Sequence, residues 1–206
     1  MKLLIAVPCH DYLDVEFIRS LEALARRLHK DNVDFEIRFE AGTLVYLARD
    51  ALSDYASKNC FTHVLWLDSD MVFSDDILDK LMETRAEIAT GVCRSRHGKY
   101  NICLYKNQHE MFTEIPDKIF EVFACGFACV LTTTMCLEHV SEKNNGHPFE
   151  PTKYFGEDLQ FCIRAGGMGY RIMCNPEAKV GHVGRITIWP DSVEELRSYN
   201  SKKEGK

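Results

Sequence analysis

The 206-residue sequence has no C-x-x-C pair, no glycine-rich phosphate cradle, no apolar run of bilayer length and no excess of positive charge. Each absence removes a class of function. Without C-x-x-C, zinc ribbons and thioredoxin-like redox sites drop out. With 25 basic against 31 acidic residues, the formal charge of −6 argues against nucleic acid as the main partner. Arg94-Ser95-Arg96 and Lys202-Lys203 are basic spots, too short to form a nucleic-acid stripe. The N-terminal apolar run stops at Pro8, too early for a signal sequence. Nothing approaches the roughly 20 apolar residues of a membrane span, so a soluble protein with no integral membrane segment is expected. Because no Gly-rich turn follows the first apolar run, both the dinucleotide fingerprint and the P-loop are absent. Low-complexity stretches and internal repeats are also missing.

Cysteine, by contrast, is plentiful and odd in number, at nine. Cys9, Cys93, Cys103, Cys125, Cys129 and Cys162 sit in apolar or strand-like contexts, where a free thiol packs as a small hydrophobe. A reduced, cytoplasmic chain is the simplest account. Length and composition predict one domain over residues 1–197, followed by a polar tail at 198–206.

Periodicity then orders the chain. Leu3 to Val7 is a continuous apolar run, the pattern of a strand buried on both faces. Asp14 is placed to cap a helix whose apolar positions are Phe17, Ile18, Leu21, Leu24 and Leu28. Phe35 to Phe39 alternates as a second strand, and Leu44, Leu47, Ala48, Ala51, Leu52 and Tyr55 form a second helical stripe. Thr62 to Leu67 reads as a third strand. Ile77, Leu78, Leu81 and Met82 mark a third helix opened by Ser74 or Asp75, and Glu87 to Thr90 a fourth strand. Strand alternating with helix predicts an α/β fold, its sheet mostly parallel and covered on both faces. Beyond Gly91 the pattern turns irregular. Short strands are expected at Tyr100–Tyr105, Met111–Ile115 and Ile119–Phe123, and a core strand at Cys125–Thr132. A helix over Phe155–Arg164 precedes strands at Tyr170–Met173 and Ala178–Val180.

The most informative residues follow the third strand. Asp68-Ser69-Asp70 puts two carboxylates on one turn, where they repel unless a cation joins them. Hard oxygen ligands suit Mn²⁺ or Mg²⁺, which commonly complete their shells with substrate phosphates. Asp and Ser are also ordinary turn and capping residues. Open parallel sheets bind ligands beyond the carboxyl ends of their strands, so Pro8–Asp11, Glu40–Thr43 and Asp68–Asp70 should share one crevice. Downstream, Gly156-Glu157-Asp158 places two carboxylates at a helix start. The macrodipole alone favours them there, or one serves as a base toward a hydroxyl. Val180-Gly181-His182-Val183-Gly184 sets a histidine between glycines that permit close backbone approach, and imidazole is a competent metal ligand. His10, His63, His97, His109, His139 and His147 have no such setting.

The sequence of a strand, D-S-D, G-F-A-C-V-L, G-E-D-L-Q-F-C-I-R and G-H-V-G resembles the metal-dependent GT-A glycosyltransferases, particularly family-2-like members, over residues 3–185. The resemblance implies that Asp70 and His182 ligate the metal. Asp68 would contact the donor ribose, or the metal through water. It further implies that Asp158 is the base of an inverting transfer and that Gly126 and Phe127 line the donor-sugar pocket. Pro8, Cys9, Glu40, Arg49 and Arg94, with Arg96 beside it, are candidate donor contacts. Arg49 matches a family arginine near the donor, or pairs with Asp50 or Asp54 on the surface. Glu157 and Trp189 are candidate acceptor contacts. The expected partners are a nucleoside-diphosphate sugar, UDP-linked by preference and GDP-linked as the alternative, and an unknown acceptor. Two other classes compete. A sugar nucleotidyltransferase normally carries a Gly-rich basic N-terminal loop, which Val7 to Asp11 is not. A non-catalytic nucleotide-sugar or carbohydrate-binding protein would keep the fold but has no need of a base at Asp158.

Overall fold

The structure is a computed structural model that describes residues 1–10, 12–96 and 100–184. Trp189, Asp11, His97 and the tail at 198–206 lie outside the described residues. In chain order the elements are β1 (Lys2–Pro8), α1 (Val15–Lys30), β2 (Asp34–Glu40), α2 (Val45–Lys58), β3 (His63–Leu67), β4 (Met71–Val72), α3 (Ile77–Met82) and β5 (Ile88–Val92). There follow β6 (Leu104–Tyr105), β7 (Phe120–Val122), β8 (Ala124–Cys125), β9 (Cys129–Thr133), α4 (Thr134–Lys143), α5 (Glu157–Gly167), β10 (Ile172–Lys179) and β11 (Gly181–His182).

Seven strands form the central sheet in the order β2-β1-β3-β9-β5-β10-β7. β1 pairs in parallel with both β2 and β3, and β5 with β10. β9 lies antiparallel between β3 and β5, and β7 is antiparallel on the edge. Five strands therefore point one way, and their carboxyl ends share one edge. β9 runs against them, so its leading residues, Gly126 to Ala128, arrive at that same edge. An apolar run carries no sign of direction, which is why the reversal at β9 is invisible in sequence.

Alternation along β1 builds two cores. Leu3, Ile5 and Val7 face α1 and α3, meeting Phe17, Leu21, Leu24, Ile77 and Leu81. Leu4 and Ala6 face the other way, toward Leu52, Leu137, Phe161 and Ala165 of α2, α4 and α5. Asp14 caps α1 through the Glu16 amide at 3.1 Å, as its sequence position predicts. Among the described residues, no helix is long and apolar enough to cross a membrane.

Several elements differ from their sequence reading. The inward face of α2 carries Ala48, Arg49, Asp50, Leu52, Ser53 and Ala56, while Leu44, Leu47 and Ala51 are exposed. Ile18 is likewise exposed on α1. The N-cap of α3 is Asp76, not Ser74 or Asp75. The run Cys125–Thr132 is broken into β8 and β9, and Met111 makes only an isolated bridge to Tyr105. Residues 134–143, for which the sequence suggested no element, form α4, capped by Thr133 on the Cys136 amide. The two predicted C-terminal strands are one strand, β10, whose register shifts between Cys174 and Lys179 around Pro176. Gly91 makes that irregularity possible. A Cβ there would lie 2.5 Å from the Ala178 carbonyl oxygen.

Candidate functional site

At the carboxyl edge, a short ladder determines what meets the acidic turn. β11 pairs antiparallel with β4, setting His182 opposite Met71, and the Val183 amide donates to the Asp70 carbonyl at 2.8 Å. The ladder thus delivers His182, more than a hundred residues downstream, to Asp70. Its Nε2 stands 3.3 Å from Asp70 Oδ2. Its Nδ1 lies 3.1 Å from the Arg94 carbonyl oxygen. A carbonyl only accepts, so Nδ1 carries a proton; Nε2, when also protonated, donates to the Asp70 carboxylate, and on losing that proton it offers its lone pair to a cation. Arg96 also pairs with the same Oδ2. Burial pushes Asp70 up, but the His182 hydrogen bond and the charges of His182 and Arg96 outweigh it and hold the carboxyl below its ordinary range. His182 is raised, chiefly by its hydrogen bond to Asp70, against the opposing effect of burial. The flanking glycines are not demanded by space. A Cβ at Gly181 would make an ordinary 3.6 Å contact with Val72, and one at Gly184 would meet nothing within 4 Å.

Asp68 is held by a second network. Arg49, its side chain only 3% exposed, reaches Asp68 Oδ1 at 2.9 Å with one guanidinium nitrogen and Glu157 Oε1 at 3.2 Å with the other. The guanidinium sits over Phe127 and Phe149, 5.2 and 6.0 Å from their ring centres. Its Nε is buried without a hydrogen-bond partner among the described residues. Arg49 therefore pairs with neither Asp50 nor Asp54 but bridges α2, the acidic turn and the start of α5. Burial raises Asp68, with Arg49 opposing and Asp70 adding to the rise. Asp50 serves the same network from below. It accepts from the Phe149 amide at 2.9 Å and lies 3.1 Å from His147 Nδ1, which pins the loop that brings Phe149 under Arg49.

Asp158 is the next residue of α5. Burial pushes its carboxyl up to about 6, the neighbouring Glu157 charge adds to this, and Arg49 opposes it. Its Oδ1 accepts from the Leu159 amide at 2.7 Å. Its Oδ2 lies over Gly126, 3.7 Å from where a Cβ at that glycine would sit. Half-buried and titrating near neutrality, it has the properties of a general base.

A cleft of ≈ 210 Å³ opens at Asp68, Asp70 and His182, and neither Asp158 nor Gly126 is part of its wall. Pro8, Val45 and Ala48 give its wall an apolar part, and Asp68, Asp70, Arg96 and His182 a charged part. Cys9 lines it too, its backbone amide donating to the Glu40 carbonyl at 2.9 Å. His10, Thr43 and Ser69, from the three strand-end loops expected to share one crevice though none was singled out as a contact, complete the wall.

Other candidates lie elsewhere. Phe127, expected at the donor pocket, is 2% exposed and packs against Trp66, Phe149 and Phe161. It supports Arg49 from the core instead of lining the cleft. The Arg94 guanidinium donates to the Tyr100 carbonyl, leaving Arg96 as the arginine at the cleft. Glu157 is turned to Arg49, and the Glu40 side chain is not part of the cleft wall. Among the described residues, no three His, Cys, Asp or Glu side chains cluster as a complete metal cage.

No family model matches the sequence, and no curated protein matches it. Solved structures do. The chain is similar to A197 from STIV, a viral protein, with a TM-score of 0.58 and 17% identity, covering 91% of this chain and 99% of that one. It is also similar to the catalytic domain of Drosophila beta1,4galactosyltransferase 7, solved with xylobiose, with a TM-score of 0.55 and 12% identity. That match covers 95% of this chain and 79% of the other. The fold is GT-A-like.

Proposed function

We propose that this chain transfers a glycosyl group from a nucleoside-diphosphate sugar to an acceptor hydroxyl, with a divalent cation and with inversion. The observation that carries the reading is the convergence of Asp70 and His182 at the strand-end cleft, 3.3 Å apart, with the imidazole proton fixed on the far nitrogen. The donor set fits Mn²⁺ or Mg²⁺. One carboxylate and one imidazole are offered, and such ions commonly take their remaining ligands from phosphates and water. When bound, the ion neutralises charge on the departing diphosphate.

The chain's own residues account for the rest. The apolar lining residues Pro8, Val45 and Ala48 suit a nucleobase, and the charged ones suit the diphosphate and its cation. Asp68, held by Arg49, accepts from the ribose hydroxyls in this reading. Asp158 takes the proton of the acceptor hydroxyl as its oxygen bonds to the anomeric carbon. The bond from that carbon to the diphosphate oxygen breaks on the opposite face, and the electron pair leaves with the diphosphate. A carboxyl titrating at about 6 is ionised at neutral pH yet basic enough for this step.

The test uses water as a universal poor acceptor. UDP-sugars, then GDP-sugars, are incubated with the protein and Mn²⁺, and nucleoside-diphosphate release is followed. Release that disappears in Asp158→Asn while nucleotide binding persists supports the reading. Release at equal rates in both proteins contradicts the assigned base.

A further inference from the structure

Arg96 lines two cavities. The cleft of ≈ 210 Å³ and a second space of ≈ 250 Å³ share His10, Ser69, Asp70 and Arg96 in their walls. The second extends toward Tyr12, Asp14 and Val183. Neither alone reaches the ~300–1,000 Å³ typical of a small-molecule site. Among the residues that line both, Arg96 is ion-paired with Asp70 Oδ2, the oxygen that His182 Nε2 also faces. A guanidinium and a divalent cation compete for that oxygen, because two positive charges brought together repel at a half-buried site.

We propose that Arg96 is a partner-exchanging latch. In the free protein it holds Asp70. When a nucleoside diphosphate enters, the guanidinium moves onto the phosphate oxygens and Oδ2 is released to the cation. The inference rests on the glycosyl-transfer reading and adds to it a residue that couples nucleotide binding to metal binding. Two observations make the exchange feasible. The Arg96 side chain is 42% exposed, so it can swing without unpacking the core. A planar guanidinium fork also matches phosphate as well as carboxylate, and a diphosphate offers more negative charge than one carboxylate. Arg94 is no substitute, since its guanidinium is committed to the Tyr100 carbonyl.

The latch predicts reciprocal coupling, in which nucleotide strengthens Mn²⁺ binding and Mn²⁺ strengthens nucleotide binding by the same factor. The experiment titrates Mn²⁺, read from the electron-spin-resonance signal of the free ion, with and without UDP or GDP. It compares the unaltered protein with Arg96→Ala, Arg96→Lys and Asp70→Ala. The unaltered protein should bind Mn²⁺ weakly alone and at least about fivefold more tightly with nucleotide. Arg96→Ala should bind Mn²⁺ about fivefold more tightly without nucleotide, bind nucleotide less well and show coupling about fivefold smaller, the remainder coming from phosphate ligation of the ion. Arg96→Lys should fall between, and Asp70→Ala should lose Mn²⁺ in every case. If the unaltered protein binds Mn²⁺ with nucleotide but Arg96→Ala leaves both its nucleotide-free affinity and the coupling unchanged, the latch is overturned and the glycosyl-transfer reading stands. If the unaltered protein retains no Mn²⁺ with either nucleotide, the metal-assisted reading and the latch fall together.

Discussion

Asp70 and His182 face each other across 3.3 Å because a two-residue ladder between β4 and β11 holds their backbones side by side. The Arg94 carbonyl fixes the imidazole proton on the far nitrogen. With nucleotide present, His182→Ala should lower Mn²⁺ affinity at least about tenfold, since removing a direct ligand costs no less than disturbing a group behind one. Calorimetric titration checks this, and equal affinities would remove His182 from the site.

Asp158 should govern the pH dependence of turnover. The base works ionised, so the rate should rise with pH through about 6 and then level off. Replacing it with Asn should lower kcat by about 10²–10⁴-fold and leave nucleotide affinity nearly intact. A profile flat from pH 5 to 8 would contradict the assignment.

The same carboxyl should affect stability with the opposite sign. Its folded pKa is raised from 3.8 to about 6, so between those values the folded state binds more protons than the unfolded one. Stability from this group is fully present below pH 3.8 and is lost as pH rises through 6. Asp158→Asn removes the ionisation, so its thermal midpoint should exceed the parent's above pH 7. That advantage should shrink as pH falls toward 4, and melting curves across this range decide it. An advantage constant with pH would mean that another mechanism operates.

Arg49 neutralises Asp68 and Glu157 together, from a position only 3% exposed. Arg49→Ala leaves both carboxylates without their cation. The loss should be about 2–3 kcal/mol, below the ~3–5 kcal/mol of fully buried pairs, because Asp68 and Glu157 are themselves 32% and 20% exposed. Arg49 opposes the rise at Asp158 through its charge, which lysine keeps, so the pH–rate profile of any active Arg49→Lys protein should stay near the parent's. Denaturant unfolding of Arg49→Ala, and rate profiles of Arg49→Lys, test the two halves separately.

Much of this arrangement is legible in the chain, and the exceptions share a cause. β1, α1 and β3 announce themselves because their burial follows the local pattern, whereas the edge strand β2 is only partly buried along its length and leaves Phe39 exposed. The acidic turn is legible because two carboxylates so close together need an explanation. α2 misleads because Arg49 and Asp50 point inward to partners from distant segments: Asp68, Glu157 and the Phe149 amide. Local hydrophobicity cannot register a charge that is buried because it is paired. Phe127 reads as a pocket residue by position, whereas Trp66, Phe149 and Phe161 gather it into the core. α4 had a usable signal in Thr133 followed by Cys136, Leu137 and Val140, a cap and an inward stripe. Arg96 meets Asp70 only through tertiary folding, so nothing in the sequence favoured it over Arg94.

The central claim, a cation-dependent nucleotide-sugar site at Asp70 and His182, is tested most directly by thermal unfolding. UDP, GDP, CDP and dTDP are each added with Mn²⁺ and again with EDTA. A nucleotide at ~100 times its dissociation constant should add ~2.7 kcal/mol of stability. The account predicts stabilisation by one nucleotide with Mn²⁺, its loss in EDTA, and no response in Asp70→Ala. No response to any nucleotide in either condition would contradict it.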